Sequence, residues 1–137
     1  MNREKSQPAW KKIVDKGFSD YSKLNRDERV WFNIEPLVEL GLWDHYMNTG
    51  ADHNADTIDD LEYLNFTSIA NLLRNFNEKY FPTGVPIGPD ARAEKLDSFT
   101  ENQLEKDIEE MEEFLWAHCE GLKIALQYHI QKTGIGR

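Results

Sequence analysis

The chain has 137 residues, 39% of them hydrophobic and 30% charged, a composition typical of one globular domain rather than of a disordered segment. Its one cysteine, Cys119, excludes an intrachain disulfide and a cysteine-rich zinc site, and a single thiol suits a reducing compartment. No stretch approaches the ~18 apolar residues of a membrane span, and residues 1–12 lack the apolar run of a secretory signal. We therefore expect a cytoplasmic protein.

The formal net charge of -9, from 25 acids and 16 bases, is unevenly distributed. Residues 1–26 hold seven bases and three acids, a net of +4, whereas the remaining residues hold 22 acids and nine bases, a net of -13. A body this negative repels nucleic acid and anionic membranes, and it attracts basic partners. The basic N-terminal arm, residues 1–24, could bind an anion or fold back on the acidic body.

Helical periodicity dominates the sequence, and strand alternation is nearly absent. A short first helix is predicted over residues 8–16 of the arm, and Gly17 is expected to end it. Asn25 and Glu28 form a capping-box pattern that predicts the start of a second helix. Pro36 is expected to kink or split this helix. Gly41 is then expected to break it, with a short aromatic helix following.

The second half of the chain continues the helical pattern. A helix is predicted from about Asn54. Thr67 is predicted to cap the next helix, whose apolar residues recur at spacings of three and four: Ile69, Leu72, Leu73, Phe76 and Tyr80. Residues 81–90 contain three prolines and two glycines, which indicate a loop before a short helix over residues 90–96. Thr100 and Gln103 form a second capping-box pattern, and one long helix over residues 101–131 is allowed, with Gly121 as a possible break.

These elements predict an all-α fold, a compact single-domain bundle of about six or seven helices with a long C-terminal helix. The acidic helical domain is predicted over residues 25–132, and residues 133–137 are predicted to form a frayed tail.

Acids are concentrated in the last predicted helix. Residues 97–120 contain nine acids and one base, Lys106, and a helical wheel places five of these acids away from the apolar stripe. Carboxylates three or four residues apart on a helix have Cβ atoms about 5–6 Å apart, so extended carboxylates can approach the spacing of DNA phosphates. The alternative is a solvated face that keeps the protein soluble. The five acids are Glu105, Glu109, Glu110, Glu112 and Glu113.

A second acidic patch lies in residues 52–62, which contain five acids and neither Lys nor Arg. Its beginning resembles a calcium-binding loop, but Thr57 stands where the turn needs Gly and Tyr63 stands where a bidentate Glu is needed. Acids that complement a helix dipole are the simpler interpretation. The five acids are Asp52, Asp56, Asp59, Asp60 and Glu62.

Trp116 falls among the acids on the helical wheel, away from the apolar stripe. An exposed Trp suits a protein interface, because aromatic residues dominate binding hot spots. The alternative is that the helix packs on a second side and buries this Trp.

The sequence contains no phosphate-binding, nucleophile-elbow or metalloprotease motif. His118, Cys119 and Glu120 are consecutive, so on a helix their side chains point in three directions. We therefore expect a non-enzymatic protein with no catalytic residue, no metal site and no cofactor. The alternative in this class is a metal-dependent enzyme that uses His45, His53 and nearby acids.

Five segments occur in an order that resembles the bacterial DNA-mimic protein family, whose members are compact, acidic and helical. The resemblance covers residues 25–131, and the segments are NRDERVWFNIEPLVE, GLWDHYMNTG, ADTIDDLEYLNFTSIANLL, YFPTGVP and LDSFTENQLEKDIEEMEEFLW. The family's Asn-Gly-Gly-Phe turn, followed by Gln and aromatics, is changed here: Gly41, Trp43 and Tyr46 remain, with Leu42 for the second Gly and His45 for the Gln. The resemblance implies an all-helical fold, self-association and competition with DNA.

Charge and resemblance together favour a non-catalytic protein whose acids occupy the DNA site of a basic partner, such as a transcription factor or a nucleoid protein. The acids of the last helix would carry this role with help from residues 52–62. Direct binding to nucleic acid or to a membrane is not expected. The alternative is an interaction or dimerisation module that is not a mimic and binds through apolar surface and Trp116.

Overall fold

The structure is a computed structural model that describes the backbone of residues 3–137 and the side chains of residues 6–137. Within this range it contains six α-helices, two short 3-10 turns and no strand, which confirms the predicted all-α fold. The helices are α1 Arg3–Ser19, α2 Arg26–Met47, α3 Asn54–Tyr63, α4 Thr67–Tyr80, α5 Pro89–Leu96 and α6 Glu101–Thr133. The 3-10 turns are Tyr21–Lys23 and Thr49–His53. No helix in the described range is long and apolar enough to cross a membrane.

α1 is longer than predicted and continues through Gly17 to Ser19. Gly17 serves packing rather than helix termination, since a Cβ at this position would lie 2.3 Å from Cε2 of Phe32. A glycine in a helix costs about 1 kcal/mol relative to alanine, so its place here follows from the close approach of the Phe32 ring.

The basic arm folds back on the domain through α1. Ile13 is buried, and the ring centroids of Trp10 and Trp31 are 5.2 Å apart. The ammonium of Lys16 donates to the carboxylate of Glu28 at 2.9 Å, which joins the basic arm to the acidic body. The structure therefore shows the arm folded back on the acidic body, one of the two arrangements considered from the sequence.

α2 begins at the predicted capping box and breaks at Gly41. The Glu28 N–H donates to Oδ1 of Asn25 at 2.9 Å, and the Asn25 N–H donates to the Glu28 carboxylate at 3.1 Å. Pro36 lies inside the helix without dividing it, whereas Gly41 has φ +91° and ψ -177°. That left-handed φ favours glycine, so the change of direction occurs at Gly41 rather than at Pro36.

Two predicted caps are wrong. Phe66, not Thr67, occupies the N-cap position of α4, and the Thr67 hydroxyl donates instead to the Glu62 carboxylate at 3.1 Å. Thr100 precedes α6 but makes no side-chain capping hydrogen bond, so the second capping box is not formed. The amphipathic stripe of α4 is as expected, with Ile69, Leu73, Phe76 and Tyr80 buried.

α6 has 33 residues and passes through Gly121 without a break. It is about 50 Å long at 1.5 Å per residue, and it packs mainly along α2. Its buried side includes Leu115, Leu122 and Leu126, which join fully buried residues of α2 and α3 in one core. Fraying was predicted for residues 133–137; Gly134 ends α6 in the left-handed conformation, and Ile135 packs partly against the core.

Candidate partner-binding surface

Four of the five acids predicted on the last helix form an exposed row on α6: Glu105, Glu109, Glu110 and Glu113. Within the described residues, none of the four makes an ion pair or a side-chain hydrogen bond. At 1.5 Å of rise per residue the row spans about 12 Å, or one carboxylate per ~4 Å of helix axis. One strand of duplex DNA carries a phosphate every ~3.4 Å, so the row resembles one strand in linear charge density.

Glu112, the fifth acid predicted in this row, has a structural role. Its Oε1 accepts hydrogen bonds from the backbone N–H groups of Leu42 and Trp43, the latter at 3.2 Å. The break at Gly41 leaves these N–H groups without helical acceptors, and Glu112 caps them across the α2–α6 contact. A helical wheel of α6 alone does not contain this contact with α2, so it placed Glu112 in the exposed row.

Asp60 cannot contact a partner, because it is fully buried. Its carboxylate accepts a hydrogen bond from Nη2 of Arg29 at 2.7 Å and one from Nδ2 of Asn33 at 3.0 Å. Burial raises the pKa of Asp60, while the bonds from Arg29 and Asn33 act against that rise. The prediction that Asp60 belongs to an exposed acidic patch is therefore wrong. The side chains that bind this carboxylate, Arg29 and Asn33, lie on α2 and could not be identified from the local sequence.

Asp52 is paired with Arg92, a fully buried guanidinium, at 2.7 Å and also accepts the Gly88 N–H at 2.8 Å. Arg92 donates to the backbone carbonyls of Tyr46, Asn48 and Pro86 as well, and so joins the end of α2 to the proline-rich loop. Burial would raise the pKa of Asp52, but Arg92 and the Gly88 N–H hold it below its usual value. Nothing in the sequence around Arg92 distinguishes it from a surface arginine.

The other acids of residues 52–62 have different surroundings. The Tyr21 hydroxyl donates to Asp56 at 2.8 Å, and Glu62 forms an ion pair with Arg74 at 2.8 Å. Asp59 is exposed and has no such partner within the described residues. The second patch is therefore a set of structural ion pairs and hydrogen bonds around one open acid.

The histidines considered for a metal site have other contacts. Nε2 of His45 lies 2.9 Å from Nδ2 of Asn54, and burial, followed by the charges of Arg92 and His53, lowers the pKa of His45 to about 3. The His53 ring stacks on Tyr21 with centroids 3.5 Å apart. No group of three His, Cys, Asp or Glu side chains that could hold a metal ion occurs in the part of the chain that the structure describes.

Trp116 is 46% exposed, as the helical wheel predicted, and it lies on the outward side of α6. Cys119, three residues on, is buried, and its thiol donates to the Val38 carbonyl at 3.5 Å. His118 is exposed, with Nδ1 2.9 Å from the Phe114 carbonyl oxygen. The consecutive His118, Cys119 and Glu120 therefore form no nucleophile–base arrangement.

A groove that the sequence did not indicate lies beside the acidic row, between Trp43 of α2 and the start of α6. Its volume is about 730 Å³. Apolar side chains line it: Trp43, Leu96, Phe99, Leu104 and Ile108. Acids lie around them: Asp97, Glu101, Glu105 and Glu109. It could not be read from the sequence because the break at Gly41 and the turn between α5 and α6 bring its walls together.

These features define the class of the protein as an all-helical domain with an open row of unpaired carboxylates on its longest helix. The chain belongs to the DMP19-like protein family, whose family model matches residues 22–132. This match confirms the resemblance drawn from the sequence at the level of the family, and the whole of α1 lies outside it. Searches of curated proteins and of solved structures gave no match.

Proposed function

We propose that this protein is a non-catalytic DNA mimic whose acidic row on α6 occupies the DNA-binding surface of a basic protein. The observation that carries the proposal is the row itself, because Glu105, Glu109, Glu110 and Glu113 are exposed and not consumed by ion pairs within the described residues. Membership of the DMP19-like family supports it, since DMP19 proteins are DNA mimics.

The charge density of the row limits what it imitates. Duplex DNA carries one negative charge per ~1.7 Å of axis when both strands are counted, about twice the density of the α6 row. The row therefore stands in for one phosphate strand, and a partner that grips one strand edge with Lys and Arg is the best match. Such binding is steered by charge, so it weakens as the salt concentration rises.

A capture experiment from lysate of the source cell at low salt tests the proposal. The native chain is compared with a row variant that carries Glu105→Gln, Glu109→Gln, Glu110→Gln and Glu113→Gln, with Glu112 kept because it caps α2. A control variant removes the same number of charges from exposed acids elsewhere. Its substitutions are Asp15→Asn, Glu78→Gln, Asp90→Asn and Glu94→Gln.

We expect the native chain and the control variant to retain a basic DNA-binding protein, and the row variant to lose it. Duplex DNA and added salt should both release the retained protein. Equal retention by the row variant, or retention that duplex DNA does not reduce, would overturn the proposal.

A second candidate function is an interaction module that binds through apolar surface without imitating DNA. It is favoured by three exposed apolar side chains on the outward side of α6, where Trp116 is 46%, Ile124 60% and Tyr128 64% exposed. Binding of this kind would change little with salt, and Trp116→Ala would weaken it more than the row variant does. Comparing the two variants in the same capture experiment separates the candidates.

A further inference from the structure

We infer that the groove beside Trp43 receives an apolar side chain from a basic amphipathic helix of the partner, so that the partner is recognised by shape as well as by charge. This inference rests on the proposed function and names the kind of segment that the acidic surface binds. The occupant is a helix with Lys or Arg every three or four residues and an aliphatic or aromatic residue between them.

The groove offers an apolar surface that the fold leaves uncovered. Trp43 is 38% exposed, although its neighbour Leu42 is fully buried. Phe99, Leu104 and Ile108 pack against the core from the other side and are only partly buried. A large aromatic ring held open next to aliphatic side chains is the arrangement that anchors a partner residue in a protein interface.

The acids around the groove indicate the charge of the occupant. Asp97, Glu101, Glu105 and Glu109 are exposed, and none makes an ion pair within the described residues. A cationic side chain can lay its alkyl stem on the apolar surface and place its charge at these carboxylates. A neutral or acidic segment would leave the carboxylates uncompensated, so charge complementarity selects a basic one.

The spacing of these acids favours a helix. Glu101, Glu105 and Glu109 repeat every four residues, which places one carboxylate per turn of α6, about 6 Å apart along its axis. Basic residues on one face of a partner helix repeat at nearly the same interval, so a helix lying alongside α6 can meet successive carboxylates in register. An extended basic segment has side chains on one face about 6.7 Å apart, so its third contact is displaced by about 1.4 Å and its match to α6 is poorer.

Two synthetic peptides at one fixed salt concentration test the inference. The first is an amphipathic helical peptide with Leu at spacings of three and four and Arg on the flanking positions. The second has the same Arg residues and Ser in place of every Leu. Both are titrated by calorimetry into the native chain, into Trp43→Ala and into Trp116→Ala, a matched control in which another exposed Trp is removed.

We expect the native chain to bind the Leu/Arg peptide at least about tenfold more tightly than the Ser/Arg peptide, since burying one Leu accounts for such a factor. Trp43→Ala should remove most of this preference, and Trp116→Ala should keep it. Leu104→Gln, at the other wall of the groove, should reproduce the loss. Equal affinity for both peptides, or a preference that survives both groove variants, would overturn the inference.

The peptide titrations and the capture experiment test the groove and the mimicry separately. If the natural partner is released by duplex DNA but the two peptides bind equally, the row acts by charge alone and only the groove inference fails. If the peptides show the Trp43-dependent preference but no retained partner is released by duplex DNA, the groove is a binding site and the mimicry fails.

Discussion

Neighbouring acids in this chain have opposite roles, and Asp59 and Asp60 are the clearest pair. Asp59 is exposed, whereas Asp60 is fully buried against Arg29 and Asn33. Asp60→Ala removes the acceptor from a buried charged pair, and we expect it to lower the free energy of unfolding by about 3 kcal/mol. Asp59→Ala should change it by less than about 0.5 kcal/mol. Urea unfolding of the two variants measures the difference; equal effects would contradict the assigned roles.

His45 gives the protein a defined sensitivity to acid. Its pKa is lowered from 6.5 to about 3 by burial, so the folded state binds this proton less readily than the unfolded state does. The contribution of His45 to the free energy of unfolding is fully present above pH 6.5 and is lost as the pH is lowered towards 3. The slope from this group is up to about 1.4 kcal/mol per pH unit.

Urea unfolding measured across this pH range checks the His45 prediction. His45→Gln keeps a neutral polar side chain that cannot take up a proton, and its stability should vary less between pH 6.5 and 4. An unchanged slope in the variant would assign the acid sensitivity to another group, such as His53, whose pKa burial also lowers from 6.5.

Among the helices, α2 is stabilised by α6 where its backbone breaks at Gly41. Glu112 of α6 caps the backbone N–H groups of Leu42 and Trp43, which the break at Gly41 leaves open. Glu112→Ala should therefore cost about 1–2 kcal/mol of unfolding free energy, as the loss of an N-cap does.

The adjacent Glu113 is the matched control for Glu112, because it is exposed and has no such role. Glu113→Ala should stay within about 0.5 kcal/mol of the native chain in thermal or urea unfolding. A loss of stability that is the same for both variants would mean that Glu112 acts through helix propensity and not as a cap.

The sequence predicted the helices well where local pattern decides. The stripe of α4 and the long run of α6 follow from apolar spacing, and the Asn25–Glu28 capping box forms as expected. Thr67 and Thr100 show the limit of local pattern. The Thr67 hydroxyl donates to Glu62 in the folded chain, and Thr100 makes no side-chain capping hydrogen bond. The break at Gly41 was predicted, but its contact with Glu112, 71 residues away in sequence, was not.

Tertiary contacts also limit what the sequence predicts about the candidate surface. The helical wheel identified the exposed acids of α6 because that helix has one buried side. It could not find that Asp60, Asp52 and Glu62 pair with Arg29, Arg92 and Arg74, since each arginine lies in another helix. Net charge over a segment is readable from the sequence, but the fraction of that charge left open to a partner is set by tertiary contacts.

For the whole molecule, the acidic row carries a cost in stability. Glu105, Glu109 and Glu113 repel one another at spacings of four residues, and each such pair destabilises a helix by about 0.2–0.5 kcal/mol. The row variant with four Glu→Gln substitutions should therefore be more stable than the native chain at low salt, by roughly 1 kcal/mol. Thermal unfolding at low and high salt tests this, and the gain should shrink as salt screens the charges.

A row variant that is less stable at every salt concentration would contradict this prediction. It would show that the four carboxylates contribute to the fold through contacts of their own. The charge-matched control variant, with substitutions in other elements, separates relief within the row from a general effect of lower net charge.

The labelling rate of the single thiol, Cys119, measures how often the two longest helices, α2 and α6, separate. Cys119 is 5% exposed against the Val38 carbonyl, and burial raises the pKa of its thiol. Reaction with an aromatic disulfide reagent requires a thiolate in contact with solvent, so labelling of the native protein reports how often α6 separates from α2. A partner bound along the outer side of α6 would slow this separation without contacting the sulfur. The labelling rate of Cys119 would then report the fraction of the protein that has a partner bound.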